Sequence, residues 1–189
     1  MTQGAGKSSI ASAAEVLGFW FDELDGARRF AKDPVLDARI ADRYRATLNA
    51  AIRGELFLWR DTPAGRLAEI VVLDQFSRNI WRDTPAAFAQ DPQALTLAQE
   101  LVARGEARSL APEQRAFAYM PYMHSESGPI HEQAVRLFSE PGLEYSLDYE
   151  LRHQAIIARF GRYPHRNAIL GRSSTPEEIA FLAEPGSSF

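Results

Sequence analysis

The sequence predicts an all-α protein, and three observations lead there. Ala and Leu together number 47 against 16 for Val and Ile, a bias toward residues that lose little side-chain freedom in a helix. Apolar residues recur at helical spacing, as in Leu17, Trp20, Phe21 and Leu24, and again in Ile40, Tyr44, Leu48 and Ile52. Helix starts are marked by a capping side chain followed by proline, which supplies a helical φ and needs no hydrogen bond. No segment alternates in the manner of a strand.

The elements follow in order. A first helix is expected over 11–26, carrying the Leu17–Leu24 stripe. Asp33-Pro34 opens a second over 34–53, and Gly54 stops it. Thr62-Pro63 opens 63–80, Thr84-Pro85 opens 85–90, and Asp91-Pro92 opens 92–104, which Gly105 ends. Helices at 112–124 and 129–140 precede a long one at 145–160, apolar on two sides and therefore expected in the interior. Gly171 ends the turn that follows, and Thr175-Pro176 with Glu178 makes a capping box for 176–183. Short connections imply antiparallel neighbours, so an array of helical hairpins is the natural architecture. Residues 11–183 form one domain between tails at 1–10 and 184–189.

Composition narrows the function classes. Hydrophobic residues make up 46% and charged residues 24%, ordinary values for a globular chain. The chain lacks cysteine, which excludes disulfides and thiolate metal sites and fits a reducing cytoplasm. A net charge of −4 argues against a nucleic-acid partner. The longest clean apolar run between Trp59 and Asp74 is only Ile70–Leu73, so no membrane partner is expected. Glu15 interrupts the stretch Ile10–Phe21, and no small-residue cleavage site follows, which rejects a signal peptide. Gly6-Lys7-Ser8 imitates a phosphate-binding loop, but the first glycine of that motif would fall on Met1.

Three stretches put polarity where apolar residues are expected. In EIVVLDQFSRNIW, Asp74, Gln75, Arg78 and Asn79 lie on a helix that reads as largely buried. They make either a buried ion pair or a pocket wall. In YMPYMHSES, Pro121 falls inside a helix, and His124, Ser125 and Glu126 follow it. Adjacent residues on one turn make a poor nucleophilic triad, and end-capping explains Ser125 or Glu126 as well. In HQAIIARFGRYPHRNAILGR, His153 faces apolar neighbours. There, Gly161 and Pro164 present Arg159, Arg162, His165, Arg166 and Asn167 from a tight corner. Arginines so close need neutralising, either by internal acids such as Asp74, Glu126 and Glu150 or by a bound phosphate or carboxylate. No metal-ligand spacing joins His124, His131, His153 and His165, so no metal and no cofactor is expected.

Taken together, GFWF at 18–21, LDQFSRN at 73–79, YMPYMHSE at 119–126 and RFGRYPHRNAILGRSSTPEE at 159–178 resemble the bacterial domain-of-unknown-function 924 family. The resemblance implies an all-α fold similar to tetratricopeptide-repeat proteins, a superhelix without a repeat consensus, and it implies no reaction. Ser77 stands where the family pattern carries proline. The signature stretches coincide with the misplaced polarity. The sequence therefore predicts one pocket built from Asp74, Arg78, Asn79, His124, Glu126, His153, Arg159, Arg162, His165, Arg166 and Asn167. Such a pocket would bind a small anionic ligand and could support acid–base chemistry. The alternatives are a helical interaction surface for a protein or peptide and a purely structural polar network.

Overall fold

The computed structural model describes residues 9–188. The Gly6-Lys7-Ser8 imitation and most of the expected N-terminal tail lie outside those residues. Among the described residues there is no strand, and 71% of them are helical. Among the described residues no helix is long and apolar enough to cross a membrane.

Ser12 opens α1 (Ala13–Leu17) with a capping box completed by Glu15. The chain then widens into a π-helical turn at Gly18–Glu23, which delivers Phe19 and Trp20 to the core. The helix expected at 11–26 is therefore divided, and α2 (Gly26–Arg29) is a separate single turn. Asp33 accepts from Val35 and Leu36 to start α3 (Pro34–Ile52). Thr62 accepts from Gly65 to start α4 (Pro63–Val71), after a 3-10 turn at Phe57–Asp61. A second π turn, Val72–Phe76, separates α4 from α5 (Ser77–Ile80), so the expected helix 63–80 changes winding midway.

The expected helix 85–90 is a 3-10 turn at Pro85–Ala87. Thr84 does not cap it, because its hydroxyl donates back to the Trp81 carbonyl. Four longer helices follow: α6 (Asp91–Ala103), α7 (Pro112–Met123), α8 (Gly128–Phe138) and α9 (Glu144–Phe160). Pro121 is accommodated inside α7. Gly161 ends α9 at a φ of +70°, where glycine pays no Cβ penalty. A 3-10 turn at Pro164–Arg166 leads to α10 (Pro176–Leu182), which carries the expected Thr175–Glu178 capping box.

Helix α4 is the centre of the array, buried from Gly65 to Val71 and packed against α1, α6 and α7. Around it Trp20, Tyr44, Phe76 and Phe117 meet edge-on or tilted, with Trp20 5.6 Å from Phe76 and 5.7 Å from Phe117. Burying each such ring contributes roughly 2 kcal/mol. Helices α7, α8 and α9 then pack in sequence order. The expectation that α9 is interior on both sides is corrected. It buries Glu150, His153, Ile156 and Ile157, while Leu151 and Ala158 are exposed, because α7, α8 and the corner with α10 cover the first group and not the second.

Gly65 is needed for a close approach. A Cβ there would lie 1.9 Å from the Trp59 carbonyl oxygen, inside any van der Waals distance. Gly65→Ala must therefore push the Phe57–Asp61 turn off α4. Overpacking of this kind costs roughly 1–3 kcal/mol, measurable as a lower urea midpoint with an unchanged slope. An unchanged midpoint would mean the turn moves without cost.

Candidate functional site

The second π turn places Asp74 inward with 1% of its surface exposed. Its Oδ1 accepts from His124 Nδ1 at 2.7 Å, and its Oδ2 accepts from the Gln75 amide at 2.6 Å. Arg78 Nη1 lies 3.0 Å from Oδ1 and 3.0 Å from an Asp91 oxygen, so one guanidinium joins two acids. Arg166 reaches the same Asp91 through Nη1 at 3.2 Å. The Arg166 guanidinium is clamped between Phe88 and Tyr163, 4.6 Å from each ring centroid, a favourable geometry for a desolvated cation.

A cavity of about 330 Å³ opens beside this cluster, lined by Asp91, His124, Ser125, Glu126 and Arg166. Phe88, Leu95 and Leu170 supply part of its apolar wall. The volume sits at the small end of ligand sites, suited to a metabolite-sized molecule. His124 caps the end of α7, and its Nδ1 is spent on Asp74. No protein hydrogen bond engages its Nε2 among the described residues.

Burial works against ionisation of Asp74, yet the Arg78 and His124 contacts hold its carboxyl well below the usual carboxylate range. Burial, with the neighbouring Arg78 charge, holds His124 below the usual imidazole value, against the opposing pull of Asp74. Asp74 is thus the charged acceptor, and the His124 proton sits on Nδ1. That leaves the Nε2 lone pair for another molecule. Burial also lowers Arg166, helped by the Arg78 charge. Glu126 resists burial because Arg172 and the Tyr163 N–H stabilise its ionised form.

A family model described as "Bacterial protein of unknown function (DUF924)" matches residues 16–186. The chain belongs to this DUF924 family. It is also similar to a solved protein of unknown function from Agrobacterium tumefaciens, at 37% identity and a TM-score of 0.85. That likeness covers 90% of this chain and 96% of the other. Curated proteins give no match. Neither the DUF924 description nor the Agrobacterium title carries a reaction, so function has to be argued from the side chains.

Of the residues predicted for one pocket, Asp74, Arg78, His124, Glu126 and Arg166 come together at the cavity or directly behind it. His153 and His165 stand one layer back, their rings 5.7 Å and 5.5 Å from that of Tyr163. The other four lie elsewhere. Asn79 donates to Asp37, which also takes Arg82, and so ties α5 to α3. Arg159 pairs with Glu177, and Arg162 takes Glu178 through two nitrogens. Asn167 donates to Ser174 and Glu178. These three fasten α10 to the corner, because the capping-box glutamate faces back toward α9.

Asp91, Arg172 and His131 lay outside the predicted pocket, and Glu150, expected to neutralise an arginine, meets a histidine instead. Asp91 was expected to cap α6, but it occupies the first helical position and its carboxylate serves Arg78 and Arg166. Arg172 grips Glu126 from beyond the corner. His131 and Glu150 form a fully buried pair, Nδ1 to Oε1 at 2.6 Å, and His131 Nε2 donates to the Ser125 carbonyl at 2.8 Å. An acid next to proline reads as a cap in any sequence; only its arginine partners reveal the difference. Among the described residues no three His, Asp or Glu side chains gather closely enough to hold a metal.

Proposed function

We propose that the Asp74–His124 corner is a small-molecule site where His124 Nε2 gives or takes a proton. In this reading an anionic group of the ligand lies beside Arg166, and its apolar body rests against Phe88 and Leu170. The observation that carries the proposal is the orientation of His124. A buried carboxylate fixes one ring nitrogen, the other is uncommitted, and the ring lines a cavity. That arrangement prepares an imidazole for general acid–base work, which contributes roughly 10²–10⁴-fold to a rate. The absence of cysteine supports a reducing cytoplasm as its setting.

A structural role for the same network is the competing reading. It is supported by the pairing of Arg78, Arg159, Arg162, Arg166 and Arg172, each of which already meets a carboxylate. A thermal-shift panel of small carboxylates and phosphates separates the two. Under the ligand-site proposal at least one anion raises the melting temperature, since a ligand at a hundred times its Kd stabilises by about 2.7 kcal/mol. Arg166→Ala abolishes that shift. Folded wild-type protein that responds to no anion leaves only the structural role.

A further inference from the structure

We infer that this cavity selects monocarboxylates over phosphates and takes up one proton with each ligand bound. The inference rests on the ligand-site reading above and adds the ligand's charge and shape.

Shape follows from the unspent edge of Arg166. Several arginines in this chain meet a carboxylate side-on through Nε and Nη2. Arg60 does so with Glu69, Arg82 with Asp37 and Arg162 with Glu178. Arg166 instead spends Nη1 on Asp91, and its buried Nε has no hydrogen-bond partner among the described residues. No bond engages its Nη2 either. The Nε/Nη2 edge matches the two coplanar oxygens of a carboxylate. The Arg166 side chain is only 8% exposed and lines the cavity; its Nε has no accessible surface with the site empty, so a ligand carboxylate meets the full edge only as the guanidinium shifts between Phe88 and Tyr163.

Charge follows from the other walls. The acids Asp74, Asp91 and Glu126 are matched by Arg78, Arg166 and Arg172. A ligand anion therefore enters surroundings with no surplus positive charge, and burying it uncompensated would be costly. His124 supplies the missing cation by accepting one proton at Nε2. It then lies between the ligand carboxylate and Asp74 and donates to both. One proton balances one negative charge, so a phosphate dianion would remain half compensated. The groups acting on His124 are Asp74 and Arg78 from the π turn and α5, Asp91 from α6, His153 from α9, and His165 from the Pro164–Arg166 turn. Of these, Arg78 and the other imidazoles oppose its protonation, and the ligand carboxylate joins Asp74 and Asp91 in favouring it. With the site empty, burial and Arg78 keep His124 unprotonated near neutrality, so the proton arrives with the ligand.

Titration calorimetry of the intact protein tests this with benzoate, hexanoate, benzamide, inorganic phosphate and phenyl phosphate. Measurements run from about pH 5.5 to about pH 8.5, in two buffers of different ionisation enthalpy, a range spanning ordinary imidazole titration. Carboxylate affinity is expected to fall as pH rises, approaching about tenfold per pH unit where a whole proton is taken up. Benzamide should show no such slope, and both phosphates should bind at least about tenfold more weakly than benzoate. His124→Asn, checked for folding by circular dichroism, should lose the slope. Arg166→Lys, which keeps the charge but not the fork, should weaken benzoate at every pH. Carboxylate binding without proton uptake, or phosphate binding as tight as benzoate, would overturn the inference while leaving a ligand site in place. Failure of every probe at every pH would instead remove the ligand-site reading itself.

Discussion

Asp74→Ala is expected to cost about 3–5 kcal/mol of folding stability, the range for removing one partner of a buried ion pair. The residue is 1% exposed and meets three side chains, so nothing inside the cluster can replace it. Its loss strands the Gln75 amide and the His124 Nδ1 proton, and it leaves Arg78 with Asp91 as its one carboxylate beside the residue-74 backbone carbonyl. Asp74→Asn should cost less, because an amide oxygen can still accept from His124 although the charge opposite Arg78 is gone. Urea denaturation near neutral pH measures both variants. A loss below about 1 kcal/mol for Asp74→Ala would show that the cluster is screened like a surface pair. Any ligand response should disappear in both variants, since each changes how His124 is held.

The protein is also expected to lose stability steeply in mild acid, before most carboxylates titrate. Burial pushes His153 from its usual 6.5 down to about 3 and His165 down to about 4. A folded-state histidine with a depressed value stays neutral while the unfolded chain takes a proton. The unfolded state therefore binds more protons, and stability rises with pH. The contribution is fully present above about 6.5 and is lost as pH falls toward 4 and then 3. Each histidine approaches about 1.4 kcal/mol per pH unit in that window. Denaturation curves at about pH 7 and about pH 5 should differ by at least 2 kcal/mol, and His153→Gln should reduce the difference. An identical pH dependence in that variant would show that His153 titrates as if exposed.

The helical elements were legible because their signals are local. Asp33, Thr62 and Thr175 cap helices where a side chain and the next prolines said they would. Winding was not legible. Gly18–Glu23 and Val72–Phe76 carry no local signal that distinguishes a wider turn from an α-helical one. The candidate site was half legible for a similar reason. Asp74, Arg78 and His124 stood out as polar residues on apolar faces, which is a property of each residue alone. Their partner Asp91 looked like a cap, and Arg159 and Arg162 looked like its equals. Which acid each arginine meets depends on distances between segments far apart in sequence. His131 and Glu150 are nineteen positions apart on different helices, so neither announced the other.

The wider turn at Val72–Phe76 makes the number of residues as important as their identity. Each residue added to or removed from an α-helix rotates everything after it by about 100°. Removing Val72 or Leu73 would keep every functional side chain in the sequence. It would return the segment to α winding and change where Asp74 points relative to Arg78 and His124. Substitution disables the site only at the polar members of this turn, Asp74 and Gln75, whereas deleting an apolar one disturbs it with no polar group lost. The loop-like tolerance to length change usual between helices does not extend to this segment, which works as a fixed spacer.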